Sequence, residues 1–119
     1  MCTYVTEQSA TAGSGKGASG WFPLTSTTVY FDHPVHAQAA DHTLNLDFVN
    51  PGRGASARVA VELTAESAVD LVAAIARVFS RVPADLTGVD EHAARRLLEA
   101  AEGLRPNQSA LPGRTPSRR

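Results

Sequence analysis

His42-Thr43-Leu44-Asn45-Leu46-Asp47-Phe48-Val49, followed by Asn50-Pro51-Gly52-Arg53-Gly54 and then Arg58-Val59-Ala60-Val61-Glu62-Leu63-Thr64, is the stretch that decides the fold. Leu44, Leu46 and Phe48 alternate with Thr43, Asn45 and Asp47, and Val59, Val61 and Leu63 alternate with Arg58, Ala60 and Glu62. Successive side chains of a strand point to opposite faces, so each run predicts a half-buried strand with one apolar and one polar side. The Asn-Pro-Gly segment between them predicts a turn, which makes the two strands a hairpin. Centred on residues 52 and 53, that hairpin sets Asp47 opposite Arg58, Asn45 opposite Ala60 and Thr43 opposite Glu62.

Working outward, residues 21–31 are rich in β-branched and aromatic types and predict a strand with Val29 and Phe31 on one face and Thr28 and Tyr30 on the other. Residues 2–10 predict another strand. Between these two, Gly13-Ser14-Gly15-Lys16-Gly17-Ala18-Ser19-Gly20 predicts a loop. Downstream, Thr64 is a natural helix N-cap, and Glu66 falls where the helix dipole favours negative charge. Leu71, Val72, Ile75, Val78 and Phe79 then recur at helical spacing, an apolar stripe suited to covering the Leu44, Leu46, Phe48, Val59 and Val61 face, with Pro83 as the stop. A second helix is expected over residues 89–102, with Val89, Ala93, Leu97, Leu98 and Ala101 on its buried side. Residues 107–119 are mostly Pro, Gly, Ser and Arg and are expected to be disordered. The expected class is α+β: an antiparallel sheet of three to four strands with one helix packed on one face, plus a C-terminal helix and a disordered tail. The expected organisation is a core domain over residues 1–80, a helical extension over 81–104 and a tail over 105–119.

The 119 residues are 43% hydrophobic and 19% charged, an ordinary globular balance. A net charge of −1 argues against a dedicated nucleic-acid binder or an anionic-membrane binder, both of which need a concentrated positive field. Ten arginines against one lysine, with abundant alanine, suggest a GC-rich bacterial genome. The start lacks a basic opening and an apolar run, and nothing approaches the roughly 20 apolar residues of a membrane span, so a cytoplasmic protein is expected. Cys2 is the sole cysteine and has no internal disulfide partner, which leaves packing, metal or dimerisation to stabilise a small core.

Met1-Cys2-Thr3-Tyr4, the glycine run leading to Gly20-Trp21-Phe22, Val29-Tyr30-Phe31-Asp32-His33-Pro34-Val35-His36, and the two alternating strands together resemble a small uncharacterised actinobacterial family, a domain of unknown function. The likeness covers about the first 80 residues. It implies a cytosolic bacterial protein of the same fold, carries no activity or cofactor with it, and leaves out the C-terminal helix and arginine-tipped tail.

Three of the four histidines, His33, His36 and His42, fall within ten residues between two strands. Imidazole is the commonest transition-metal ligand and the usual proton carrier near neutral pH. Pro34 stiffens the segment and biases His33 toward an extended backbone. Brought together, with water, Asp32, Asp41 or Cys2 added, the three would suit a divalent metal such as zinc, nickel, copper or ferrous iron and would support metal-assisted hydrolysis. The H-x2-H-x5-H spacing is not a recognised signature. The competing reading has His33 and His36 in solvent and His42, which shares the parity of Leu44 and Leu46, at the rim of the core. A non-catalytic dimeric binding or assembly module, with incidental histidines, is the rival function.

Cys2 is a candidate catalytic nucleophile if Met1 is removed, since thiol and α-amine would then share one residue. It is also simply the first residue of a strand. The glycine run invites an anion-binding reading but fails the G-x-x-x-x-G-K-[ST] pattern, because Gly17 follows Lys16. Asn45, Asp47, Arg58 and Glu62 are candidates to line a polar pocket on the open sheet face, or else to form ordinary cross-strand pairs. Trp21 is expected to pack, and Arg114, Arg118 and Arg119 to aid solubility.

Overall fold

The computed structural model describes residues 5–35 and 42–104. The chain divides into a sheet unit, Met1–Ala65, and a helical unit, Glu66–Arg119. Cys2, His36, Asp41 and the expected disordered tail lie outside the described residues.

Four antiparallel strands, β1 Val5–Gly17, β2 Gly20–Asp32, β3 Thr43–Val49 and β4 Arg58–Leu63, form one open sheet in the order β1-β2-β3-β4. With the helices that follow, this is the expected α+β class. Cross-strand pairing sorts the side chains into two faces. Phe31, Leu44 and Leu63 form one row, and Val29, Leu46 and Val61 the next, on the apolar side. Tyr30, Asn45 and Glu62, then Thr28, Asp47 and Ala60, form the rows of the polar side.

The β3–β4 register differs from the expected one by two residues: Asn45 pairs with Glu62 and Asp47 with Ala60. The turn chemistry causes the shift. Asn50 Oδ1 accepts from the Gly52 amide at 3.1 Å, capping a single 3-10 turn over Pro51–Arg53, and the Asn50 amide donates to the Ala57 carbonyl at 3.0 Å. This consumes six residues between paired positions 50 and 57 and moves the hairpin centre toward Gly54. A shift of two leaves both faces unchanged.

The glycine run is strand rather than loop. Gly15 pairs with Phe22, and Gly17 with Gly20, across the β1–β2 hairpin. A Cβ at Gly15 would lie 3.1 Å from Leu24 Cδ2 and 3.4 Å from Val59 Cγ2, and one at Gly17 would lie 3.2 Å from Phe22 Cε1. Glycine here permits close approach to neighbouring side chains, a use that is indistinguishable from loop chemistry in sequence. Phe22 is 8% exposed in this corner, whereas Trp21, expected to pack, is 71% exposed. Their alternation in β2 points them to opposite sides.

In the helical unit, α1 spans Ala65–Phe79, α2 Ala84–Thr87 and α3 Glu91–Gly103. Pro83 does not end α1, which stops four residues earlier; it precedes α2, where its missing amide is harmless. Gly88, at φ 75°, takes the left-handed conformation and donates to the Ala84 carbonyl at 2.7 Å, closing α2. Asp90 caps α3 by accepting from the His92 amide at 2.9 Å, which excludes Val89 from the helix. Bonds to the His92 and Ala93 amides hold the Asp90 carboxyl below its ordinary range. Ala94 and Ala101 are buried on α3, with Leu98 half-buried between them, while Leu97 is exposed, contrary to the expected stripe. Arg77 of α1 lies 4.0 Å from Glu102 of α3.

Candidate functional site

The β2–β3 ladder ends with Asp32 opposite Thr43, and one step further His33 falls opposite His42. Directly opposed residues have Cβ atoms roughly 4.5–5.5 Å apart, so the register brings the two imidazoles together despite the eight residues between them. Their ring centroids are 4.3 Å apart, with planes tilted by 30°. His42 also stacks on Phe31, at 5.5 Å and 16°. The pair therefore sits at the end of the apolar face, His42 half-buried and His33 exposed. Asp32, 5% exposed, accepts from the His33 amide at 2.7 Å and fixes the backbone where it leaves β2. Two of the three predicted ligands are thus adjacent, while His36 and Cys2 lie outside the described residues. Among the described residues no group of three or more His, Cys, Asp or Glu side chains is arranged to hold a metal ion.

A second constellation lies on the polar face. Tyr30, Asn45 and Glu62 form one continuous row across β2, β3 and β4, and with Val35 and Arg58 they line a cavity of about 650 Å³. Glu62 Oε2 accepts from the Val35 amide at 2.6 Å, which ties the segment after β2 to β4 at the cavity edge. Arg58 reaches diagonally to Asp47, Nε donating to Oδ1 at 2.7 Å and a terminal nitrogen donating to Oδ2 at 3.1 Å. That bidentate bond and the carboxylate charge hold the Arg58 guanidinium even further above neutrality than usual. Asn45 is 4% exposed, and its Oδ1 accepts from the hydroxyl of Thr43, itself 0% exposed, at 2.7 Å.

Three residues expected on this face, Asn45, Arg58 and Glu62, do line the cavity, whereas Asp47 acts through Arg58. Tyr30 was legible by parity but needed the β2–β3 register to align it with Asn45. Val35 carried no sequence signal, because only the tertiary path of the segment brings its amide to Glu62.

An open antiparallel meander followed by three helices, with an imidazole pair at one end and a polar cavity on one face, defines a small α+β protein. The chain belongs to a family of unknown function, DUF6295, whose model matches residues 1–88. The match takes in the sheet, α1 and α2 and stops before α3. None of the curated proteins and none of the solved structures matches this chain. Among the described residues no helix is long and apolar enough to cross a membrane.

Proposed function

We propose that this protein binds a divalent transition-metal ion through His33 and His42, with His36 as a third ligand, in the cytoplasm of an actinobacterium. The observation that supports this reading is the 4.3 Å separation of the His33 and His42 rings. With metal–nitrogen bonds of about 2.0–2.1 Å, each ring centroid sits about 3.2 Å from the ion, so two imidazoles lie about 5.2 Å apart at the tetrahedral angle and about 4.5 Å apart at a right angle. The two rings are thus close enough to share one ion, and imidazole ligands suit nickel, copper(II), ferrous iron and zinc. An ion held by three imidazoles keeps positions open for water, and it would lower that water's pKa for hydrolysis.

Metal titration of the untagged protein, compared with a His33→Ala, His42→Ala variant, tests the reading. The expected result is one equivalent of nickel, copper(II), ferrous iron or zinc bound, with affinity at least about tenfold lower in the variant and lower on acidification, because ligating imidazoles must be neutral. Equal binding by both proteins, or none by either, would overturn it.

The exposed α1 residues Leu71, Val72, Ile75 and Val78 favour a second reading, a non-catalytic homodimer. Four side chains about half exposed supply only roughly 300 Å² per copy, against about 800 Å² in a stable interface. The metal reading is therefore preferred, and light scattering separates the two states.

A further inference from the structure

We infer that the corner pocket beside Trp21 binds a small aromatic carboxylate, its ring against Trp21 and Phe22 and its carboxylate on Arg53. The inference goes beyond the metal reading and does not depend on it, since no histidine lines this pocket, which lies at the opposite end of β2 from His33.

The pocket forms where two hairpins meet. The end of the β1–β2 hairpin supplies Ser19, Trp21 and Phe22, and the β3–β4 connection supplies Arg53, Ser56 and Ala57, around a space of about 170 Å³. Phe22 and Ala57, 8% and 6% exposed, give it buried apolar surface, while Trp21 is 71% exposed. An indole left mostly in water beside such surface is open to a planar ligand. A cavity of about 150 Å³ holds one benzene ring, so the space suits a single six-membered ring.

The turn that carries Arg53 is fastened to β2. Asn50 Oδ1 accepts from the Gly52 amide at 3.1 Å, and Asn50 Nδ2 donates to the carbonyl of Pro23, two residues after Trp21, at 2.9 Å. The Arg53 amide in turn donates to the Asn50 carbonyl at 2.9 Å. Backbone and cap thus set the guanidinium's base relative to the indole before a ligand arrives, which lowers the ordering cost of binding.

Charge selects an anion. Among the described residues no ion pair or side-chain hydrogen bond engages the Arg53 guanidinium or the ammonium of Lys16, which pairs directly across from Trp21. No carboxylate lines the pocket. The acidic residues of the four strands are placed elsewhere: Glu7 pairs with Val29, Asp32 with Thr43 and Glu62 with Asn45, and Asp47 is engaged by Arg58. A guanidinium fork matches a carboxylate with two parallel hydrogen bonds, and the Ser19 and Ser56 hydroxyls add donors. A neutral ring would leave Arg53 unmatched, and a bare anion would leave Trp21 uncovered.

Trp21 is the sole tryptophan, so its emission reports on this pocket. The test titrates the full chain, with EDTA present so that no metal mediates binding, with benzoate and separately with benzyl alcohol and with acetate. The expected result is a saturable change in Trp21 emission with benzoate at a Kd of about 1 mM. Benzyl alcohol, which keeps the ring, and acetate, which keeps the charge, should each bind at least about tenfold less tightly. Arg53→Ala, on an exposed turn held by backbone bonds and the Asn50 cap, should weaken benzoate binding about tenfold. A change that rises linearly without saturating, benzyl alcohol or acetate binding as tightly as benzoate, or wild-type affinity in Arg53→Ala would each overturn the inference. Should Arg53→Ala fail to fold, the comparison of the three ligands on the unaltered chain decides alone.

Discussion

On one side of the sheet, Phe31, Leu44 and Leu63 stand in a row, and on the other, from the same three strands, Tyr30, Asn45 and Glu62 do. The apolar row gains stability in rough proportion to the surface it removes from water, and each of its side chains contributes nearly independently. The polar row behaves differently. Thr43, Asn45, Glu62 and Val35 depend on specific partners, and removing one member strands another. An apolar face is explained by folding alone, while a polar face with a buried, half-satisfied amide is not. The imidazole pair stands where the apolar face ends, beside Phe31, and so combines a packed ring with an exposed one.

Three substitutions probe this contrast, in decreasing order of effect. Phe48→Ala, on the half-buried apolar face, should lower unfolding free energy by about 2 kcal/mol, less than the 3–5 kcal/mol of a fully buried phenylalanine, as read by chemical denaturation. It should leave the Asn45 resonances in place; a loss of those signals would mean the two faces are not separable. Thr43→Val keeps shape but removes the only described partner of the Asn45 amide, and should cost about 1–2 kcal/mol. A neutral result would show that Asn45 finds another partner and would weaken the contrast. Asp47→Ala breaks the bidentate pair with Arg58, whose side chain is 52% exposed, so its effect should not exceed about 0.5 kcal/mol and should shrink with added salt. Because the Asp47 carboxylate raises the Arg58 pKa above its already strongly basic ordinary value, whatever this pair contributes is fully present below that ordinary value and lost only as pH rises beyond it. Its stability effect should therefore not vary between pH 6 and pH 9 through Arg58; a strong dependence there would implicate another group.

Strands β3 and β4 were legible because strict alternation survives in six or seven consecutive residues, and α1 because its apolar residues recur at three and four. The glycine run misled, since glycine marks both loops and tight strand contacts and only the neighbours of Gly15 and Gly17 distinguish the two. The hairpin register misled for a related reason: the Asn50 side chain builds a 3-10 turn that residue types alone do not measure. On the candidate sites, Asn45, Arg58 and Glu62 followed from parity, and the His33–His42 adjacency followed from loop proximity only as a hope. The ladder is what makes it a contact. Tyr30 was assigned its face by parity but not its row, for want of a register, and Val35 was missed, for want of a path.

Local chemistry was enough to determine which residues extend, which coil and which face each strand side chain takes, because these depend on neighbours one to four positions away. Only the folded chain decided that His33 meets His42, that Asp47 engages Arg58 across a diagonal and that Asn45 is buried with half its amide unmatched. Those facts depend on strand register and on the course of the backbone between strands, which are set by long-range pairing energies summed over the whole sheet.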